Sequence, residues 1–306
     1  MDVEKFGMEI IETHISWVLL GEYVYKIKKP VKLTFLDFST LEKRKFFCEE
    51  EVRLNSRLSP DVYLGVVAIT ENGLEKEGKP MEYAVKMRRL GDRGKMDRML
   101  LRGEVTEQHI REIADIVAGF HETIESVEGY TPEIVWEQIE DLKNYRETID
   151  KATGLGKKVD SILESCKKSI EDNRQLINKR IKDGKVKDCH GDLHSRNIFI
   201  NDEIRIIDCI EFSSDFRFVD VASEIAFMAM DLDAFDRQDL SKLFVDEYVK
   251  KTGDRELEKL LDLYKCYRAN VRAKVAAIDY IQHPGHEPKK RMQKYILLAE
   301  SYSTGS

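Results

Sequence analysis

Over the first ninety residues the apolar runs are short and broken by turn residues, and beyond residue 96 apolar positions recur at helical spacing. Residues 15–20 (Ile-Ser-Trp-Val-Leu-Leu) and 23–28 (Tyr-Val-Tyr-Lys-Ile-Lys) flank Gly21-Glu22 and predict a hairpin. A helix follows with Ser39 or Thr40 as cap, running from Leu41 to about Leu58, where Ser59-Pro60 stops it. Residues 62–70 and 81–90 predict two further strands across the turn-rich stretch 71–78. Long amphipathic helices are then expected over 106–122 and 157–182, interrupted by one β-like island at 197–207. More helices run to the end, with a break at His283-Pro-Gly-His286. The expectation is an α+β chain: a small N-terminal antiparallel β-sheet domain with one helix over 1–88, then a larger, mainly α-helical domain over 89–306.

Composition narrows the class without naming a function. With 306 residues the chain can bury a core without disulfides or structural metal. A net charge of −7 argues against a nucleic-acid-coating surface, so no nucleic-acid partner is expected. The longest apolar run, 225–230, is too short to span a bilayer, and no membrane partner is expected. The start, Met-Asp-Val-Glu-Lys, carries charges where a signal peptide needs its apolar stretch. Five cysteines, none spaced as Cys-x-x-Cys, indicate neither a disulfide framework nor a zinc site. Reduced thiols in a cytoplasmic protein are the expectation.

The chemistry concentrates in the island. It opens with Cys189-His-Gly-Asp-Leu-His-Ser-Arg-Asn197 and ends Ile204-Arg-Ile-Ile-Asp208. Folded as a hairpin, this brings Asp192, Asn197 and Asp208 together at the strand mouths. The oxygens of Asn197 and Asp208 suit Mg2+, which takes few protein ligands beside phosphates and water. Asp192 is then free to accept a hydroxyl proton.

This string resembles the catalytic loop of the protein-kinase-like superfamily, in the His-Gly-Asp-Leu-His-x-x-Asn form of the aminoglycoside phosphotransferase and choline kinase branch. The resemblance implies a bilobal protein-kinase-like fold, ATP as donor, Asp192 as catalytic base, and Asn197 and Asp208 as Mg2+ ligands. It also implies an upstream strand lysine that grips the phosphates and pairs with a glutamate on the next helix. Lys26 best matches that position. Lys28 is the nearest rival, because alternation puts it on the same face. On the helix, Phe47, Glu51, Leu54 and Leu58 share a face, which favours Glu51 over Glu50. Met87 and Arg89 fall where the nucleotide would lie, and backbone groups near there would choose between ATP and GTP. His190 and His194 are expected to hold the loop. Asp220 is expected to support the loop backbone, a role compatible with capping the helix after it. Glu211 stands as a second metal or substrate contact.

Several departures sharpen the class. No Gly-x-Gly-x-x-Gly precedes Lys26; Glu-Thr-His-Ile-Ser-Trp occupies 12–17, with Thr13, His14 and Ser16 as phosphate-covering donors or polar turn caps. Asp-Phe-Gly is replaced by Asp208-Cys-Ile, and Ala-Pro-Glu is missing. These features favour a small-molecule phosphotransferase over a protein Ser/Thr kinase, with a nucleotide-binding pseudokinase or regulatory module as the third reading. The strings Thr-His-Ile-Ser-Trp-Val, Val-Tyr-Lys-Ile-Lys-Lys-Pro and Leu-Asp-Phe-Ser-Thr-Leu-Glu-Lys-Arg resemble a prokaryotic group within the aminoglycoside phosphotransferase-like enzymes. Some members join this module to a P-loop ATPase domain. No Gly-x-x-x-x-Gly-Lys-Ser/Thr occurs here, so the expectation is the kinase-like module alone, with a P-loop ATPase module as associate.

For the hydroxyl acceptor, Arg268 and Arg272 share a helix face with Tyr264 in line. They suit an anionic acceptor or internal ion pairs equally. Asp231, Asp233 and Asp236 offer carboxylates for a cationic acceptor, or face solvent. The acceptor's identity and the oligomeric state are not legible.

Overall fold

The computed structural model describes residues 3–33 and 36–303. The chain forms two compact units. One holds the residues up to Arg102 together with His190–Asp192 and Arg196–Arg217, and the other holds the rest.

The first unit is built on an antiparallel sheet of β1 (Glu9–Glu12), β2 (Ser16–Leu20), β3 (Tyr23–Lys28), β6 (Tyr63–Thr70), β7 (Gly73–Leu74) and β8 (Pro80–Arg88), in the order β1-β2-β3-β8-β6-β7. Between β3 and β6 come the short pair β4 (Lys32–Leu33) and β5 (Leu36–Asp37), then α1 (Leu41–Asn55). Thr40, not Ser39, caps α1, its side chain accepting from the Lys43 N–H; such a cap contributes about 1 kcal/mol. The helix ends at Asn55, a turn short of Leu58, where the Arg57 and Leu58 N–H groups donate only three residues back, to the Leu54 and Asn55 carbonyls, and tighten the last turn. Strand alternation decides which side of the sheet each residue serves. On β3, Tyr25 and Ile27 enter a core with Leu19, Ile69 and Ala84. Val24 lies on the other face, in a cluster with Val62, Val85, Met87 and the α1 residues Cys48 and Val52. Lys26 and Lys28 take that same face, towards α1. α2 (Met96–Leu101) completes this part of the unit.

The second unit is mainly helical: α3 (Glu107–Thr123), α4 (Pro132–Glu140), α5 (Arg146–Thr153), α6 (Gly156–Asp172) and α7 (Arg174–Lys182), followed by β9 (Val186–Asp188). The single helix expected over 157–182 is broken at Asn173. Its side-chain amide donates to the Ser169 carbonyl at 2.9 Å, a local bond that competes with helix continuation. The island folds as the hairpin β10 (Ile198–Ile200) and β11 (Ile204–Ile206) and belongs to the first unit. β12 (Phe218–Asp220) pairs with β9 in the second unit, which then continues with α8 (Val221–Ala234), α9 (Gln238–Thr252), α10 (Leu261–Gln282) and α11 (His286–Ser303).

The compact units thus draw a different line from the division expected at residue 88. The reason is visible in the bonding: the Ser59 hydroxyl donates to the Ile206 carbonyl at 2.8 Å and accepts the Ile206 N–H, which ties β11 to the turn after α1. Asp61 grips Arg205 alongside.

Candidate active site

The chemistry-bearing residues of the first unit converge on α1, β3 and the turn after β11. Lys26 Nζ lies 2.6 Å from Asp208 Oδ1 and 2.8 Å from Glu51 Oε1. Lys28 Nζ meets the other oxygen of the same carboxylate, Glu51 Oε2, at 2.8 Å, and also contacts Glu211. Glu51, not Glu50, is the inward carboxylate. Glu50 turns outward to Arg53. Burial alone would raise the Glu51 carboxyl, but the two ammonium groups beside it bring it down to about 2. Both lysines stay above their ordinary value, because Asp208, Glu51 and Glu211 outweigh the burial that opposes their charge. Glu211 is pushed up by its burial despite Lys28.

The two lysines differ in access. Lys26 keeps 15 % of its side chain exposed beside the 48 % exposed Asp208, whereas Lys28 is fully buried. Lys28 therefore offers no surface on which a nucleotide could land, and its reading as a cofactor contact is corrected. The same holds for Glu211: it is buried and committed to Lys28, so it is placed as neither a metal nor a substrate contact. Met87 is buried in β8, and Arg89 donates to the Gly21 carbonyl at 3.1 Å. Thr13 and Ser16 bond to each other as a turn cap.

The loop itself is locked by short-range bonds. The Asn197 side-chain amide donates to both the carbonyl and Oδ2 of Asp192, at 3.0 and 2.9 Å. This aims the Asp192 carboxylate and leaves the Asn197 amide oxygen, the atom that would ligate a cation, out of these bonds. His190 Nδ1 accepts the Asp192 N–H and its Nε2–H donates to the Ile207 carbonyl, which selects one tautomer. Gly191 has φ +84°, and a Cβ there would lie 2.9 Å from the Phe216 carbonyl oxygen, so the position demands glycine. Asp208 adopts φ +66°, unusual for a residue with a side chain. Its N–H donates to Tyr63 Oη at 3.0 Å, and the next N–H, of Cys209, donates to Asn55 Oδ1 at 2.8 Å.

In the second unit, His194 stands edge-on to Phe227 and accepts from Arg272 Nη1 at 3.2 Å. Ser195 donates its N–H and hydroxyl to Asp231. Asp220 caps α8 through the Ala222 N–H and forms a two-bond pair with the buried Arg180, which also holds Asp254. Arg180 and the helix cap occupy both Asp220 oxygens, and within the same unit it is Asp231 that holds Ser195 of the loop. Arg268 is buried, stacked on Phe227 and donating to Ser223, so it is an internal residue rather than an acceptor ligand. Asp233 is occupied by Lys265 and Tyr302. His121, Cys189 and Glu224 lie within 4.8 Å of one another, but His121 is spent on Tyr248 and Glu224, and burial holds the Cys189 thiol protonated.

A lysine bridging a helix glutamate and a post-hairpin aspartate, beside an Asp–Asn loop, is the arrangement of kinase active sites. The sequence model of choline/ethanolamine kinases matches residues 97–283, well over half of the chain. The chain belongs to the choline/ethanolamine kinase family. The match spans the loop and Asp208 but stops short of Lys26 and Glu51, which the fold supplies. A Cryptosporidium parvum choline kinase superimposes with a TM-score of 0.58 at 12% identity, covering 98% of this chain and 90% of that one. An aminoglycoside phosphotransferase, APH(4)-Ia in a thermostable mutant form, gives 0.57 at 13% identity, covering 99% and 98%. The fold is therefore protein-kinase-like, as expected from the loop. An uncharacterized Mycobacterium tuberculosis protein is 33% identical over 282 residues, 90% of this chain but 56% of its own length. The chain thus spans little more than half the length of that relative.

Sequence reasoning missed Asn55, Ser59 and Tyr63, and read Asp231 only as an acceptor or solvent-facing carboxylate. Each acts through one or two long-range bonds to the loop, to β11 or to the Asp208 turn, and no local pattern marks it.

Proposed function

We propose that the chain is an ATP- and Mg2+-dependent phosphotransferase acting on a hydroxyl group of a small molecule. The observation that carries this reading is Lys26 held between Glu51 and Asp208 in the same unit as the Asn197-braced Asp192. Lys26 grips the phosphates, with Glu51 fixing its ammonium group. Asn197 and Asp208 offer hard oxygen donors of the kind Mg2+ takes, and the half-exposed Asp208 carboxylate is open to a cation. When bound, Mg2+ neutralises phosphate charge that develops during transfer. Asp192, aimed by Asn197 and by the His190 tautomer, orients the acceptor hydroxyl and takes its proton, a role typically worth about 10²–10⁴-fold.

Family membership favours amino alcohols such as choline and ethanolamine as the first acceptors to try. No helix among the described residues is long and apolar enough to cross a membrane, and we place the protein in the cytoplasm, where ATP is available. The greater length of the mycobacterial relative leaves room for a further domain, and a P-loop ATPase module is the associate the resemblance names. The test is transfer of γ-labelled phosphate from MgATP across amino alcohols, sugars, aminoglycosides and nucleosides. Label in a small-molecule product supports the reading. Label only in protein assigns a protein kinase instead, and nucleotide binding without transfer to any of them assigns a pseudokinase.

A further inference from the structure

Lys28 and Glu211 form a buried pair that touches no solvent-facing part of the phosphate site, yet shares a carboxylate with it. We propose that they are positioning residues: Lys28 holds the second oxygen of Glu51 and, through Glu211, fixes the segment after Asp208 to β3, so that the Lys26–Glu51–Asp208 arrangement stands assembled with or without nucleotide. The inference rests on the phosphotransferase reading above.

Glu51 divides its oxygens, Oε1 to Lys26 and Oε2 to Lys28. Both Glu51 and Lys28 are fully buried, and the Lys28 ammonium lies 5.0 Å from the centre of the Phe38 ring. When phosphates draw on Lys26, Glu51 would lose part of a counter-charge in a place closed to water, which is strongly unfavourable. Lys28 keeps a cation on Glu51 throughout. Glu211 makes this arrangement electrically tolerable, since without it the fully buried Lys28 would have only a carboxylate shared with Lys26, which has Asp208 besides.

The same pair completes a run of anchors. From 208 to 211 every residue is tied down within the unit. The Asp208 N–H goes to Tyr63 and the Cys209 N–H to Asn55. The Ile210 N–H goes to the His190 carbonyl, and the Ile210 carbonyl accepts from Arg217. The Glu211 side chain goes to Lys28. Asn55 also donates to the Glu51 carbonyl, so α1 and this segment are bonded one turn apart on the helix, at Glu51 and at Asn55. A helix fastened this way does not swing its glutamate away from the lysine.

The test replaces the buried pair by apolar side chains of similar length, Lys28→Met with Glu211→Met, a change that commonly preserves folding. MgATP turnover is followed by phosphate release with water as acceptor. Positioning predicts a melting temperature near wild type, kcat lowered about 100-fold and a smaller change in KM for ATP. Lys28→Arg alone should recover most of the activity. Wild-type kcat in the folded double variant overturns the proposal. Backbone amide exchange on the unaltered protein decides independently, including where the double variant does not fold. Slow exchange at residues 47–55 and 208–211, equal with and without MgATP, supports the clamp, and fast exchange that slows only with MgATP overturns it. A wild-type chain that turns over no MgATP and labels no acceptor fails the phosphotransferase reading, and exchange alone then judges the clamp.

Discussion

Replacing Asn55 by Ala removes the bond that joins the end of α1 to the Asp208 turn. The Asn55 amide is buried; it donates to the Glu51 carbonyl at 2.9 Å and accepts the Cys209 N–H at 2.8 Å. A neutral hydrogen bond is worth about 1 kcal/mol net, and a buried N–H left without a partner costs about 1–3 kcal/mol. The expected loss is therefore about 2–4 kcal/mol, which for a chain of this size lowers Tm by roughly 3–6 °C. Activity should fall as well. Asp208 holds φ +66°, a conformation that costs on the order of 1–3 kcal/mol and persists only where its surroundings enforce it. With Asn55 gone, that turn loses its bond to the end of α1, and the Asp208 carboxylate loses part of its aim. Thermal and urea unfolding measure the first effect, and MgATP turnover the second. A Tm shift below about 1 °C with unchanged turnover would show that this bond contributes nothing, and the reasoning from the turn's geometry would be refuted.

Gly191→Ala should be severe, because the new Cβ would sit 2.9 Å from the Phe216 carbonyl at φ +84°; a fall in Tm together with loss of turnover is expected, and wild-type values for both would contradict the loop geometry. Glu51 makes the fold sensitive to acid. Its carboxyl lies near 2 in the folded protein against an ordinary 4.5, so its contribution to stability is complete above 4.5 and is lost as pH falls through 2. Glu211, raised by burial, contributes in the opposite sense. Glu51→Gln should accordingly flatten the fall of Tm on acidification below pH 4.5, and an unchanged slope would mean the carboxylate is not held ionised by the lysines.

The elements that carry the site were legible where the signal is local. The β2–β3 hairpin showed in alternation around Gly21-Glu22, α1 in its cap and its Pro60 stop, and the loop in the spacing of Asp192, Asn197 and Asp208. The choice of Glu51 over Glu50 followed from the apolar face of α1, and burial agrees with it. Lys26 and Lys28 could not be separated, because alternation puts both on one face and only the depth of each along the helix contact tells them apart. β1 went unpredicted: Glu-Ile-Ile-Glu at a sheet edge is largely exposed and shows no two-residue period. Arg268, open between an acceptor contact and an internal residue, is internal, and Asp220, expected to support the loop and compatible with a helix cap, caps α8, for a common reason. A charged side chain on a helix face looks available in sequence, and only packing shows that Ser223 or Arg180 has already claimed it.

The central claim, that Asp192 is the base of a phosphoryl transfer for which Lys26 and Asp208 hold the donor, is tested most directly by Asp192→Asn. MgATP binding by calorimetry and single-turnover transfer to the acceptor found by the screen are measured on the same sample. Asparagine keeps the size of the side chain and an oxygen for the Asn197 amide, so folding and nucleotide affinity should be preserved. The account predicts unchanged MgATP affinity with transfer lowered about 10²–10⁴-fold. Transfer at the wild-type rate would contradict it.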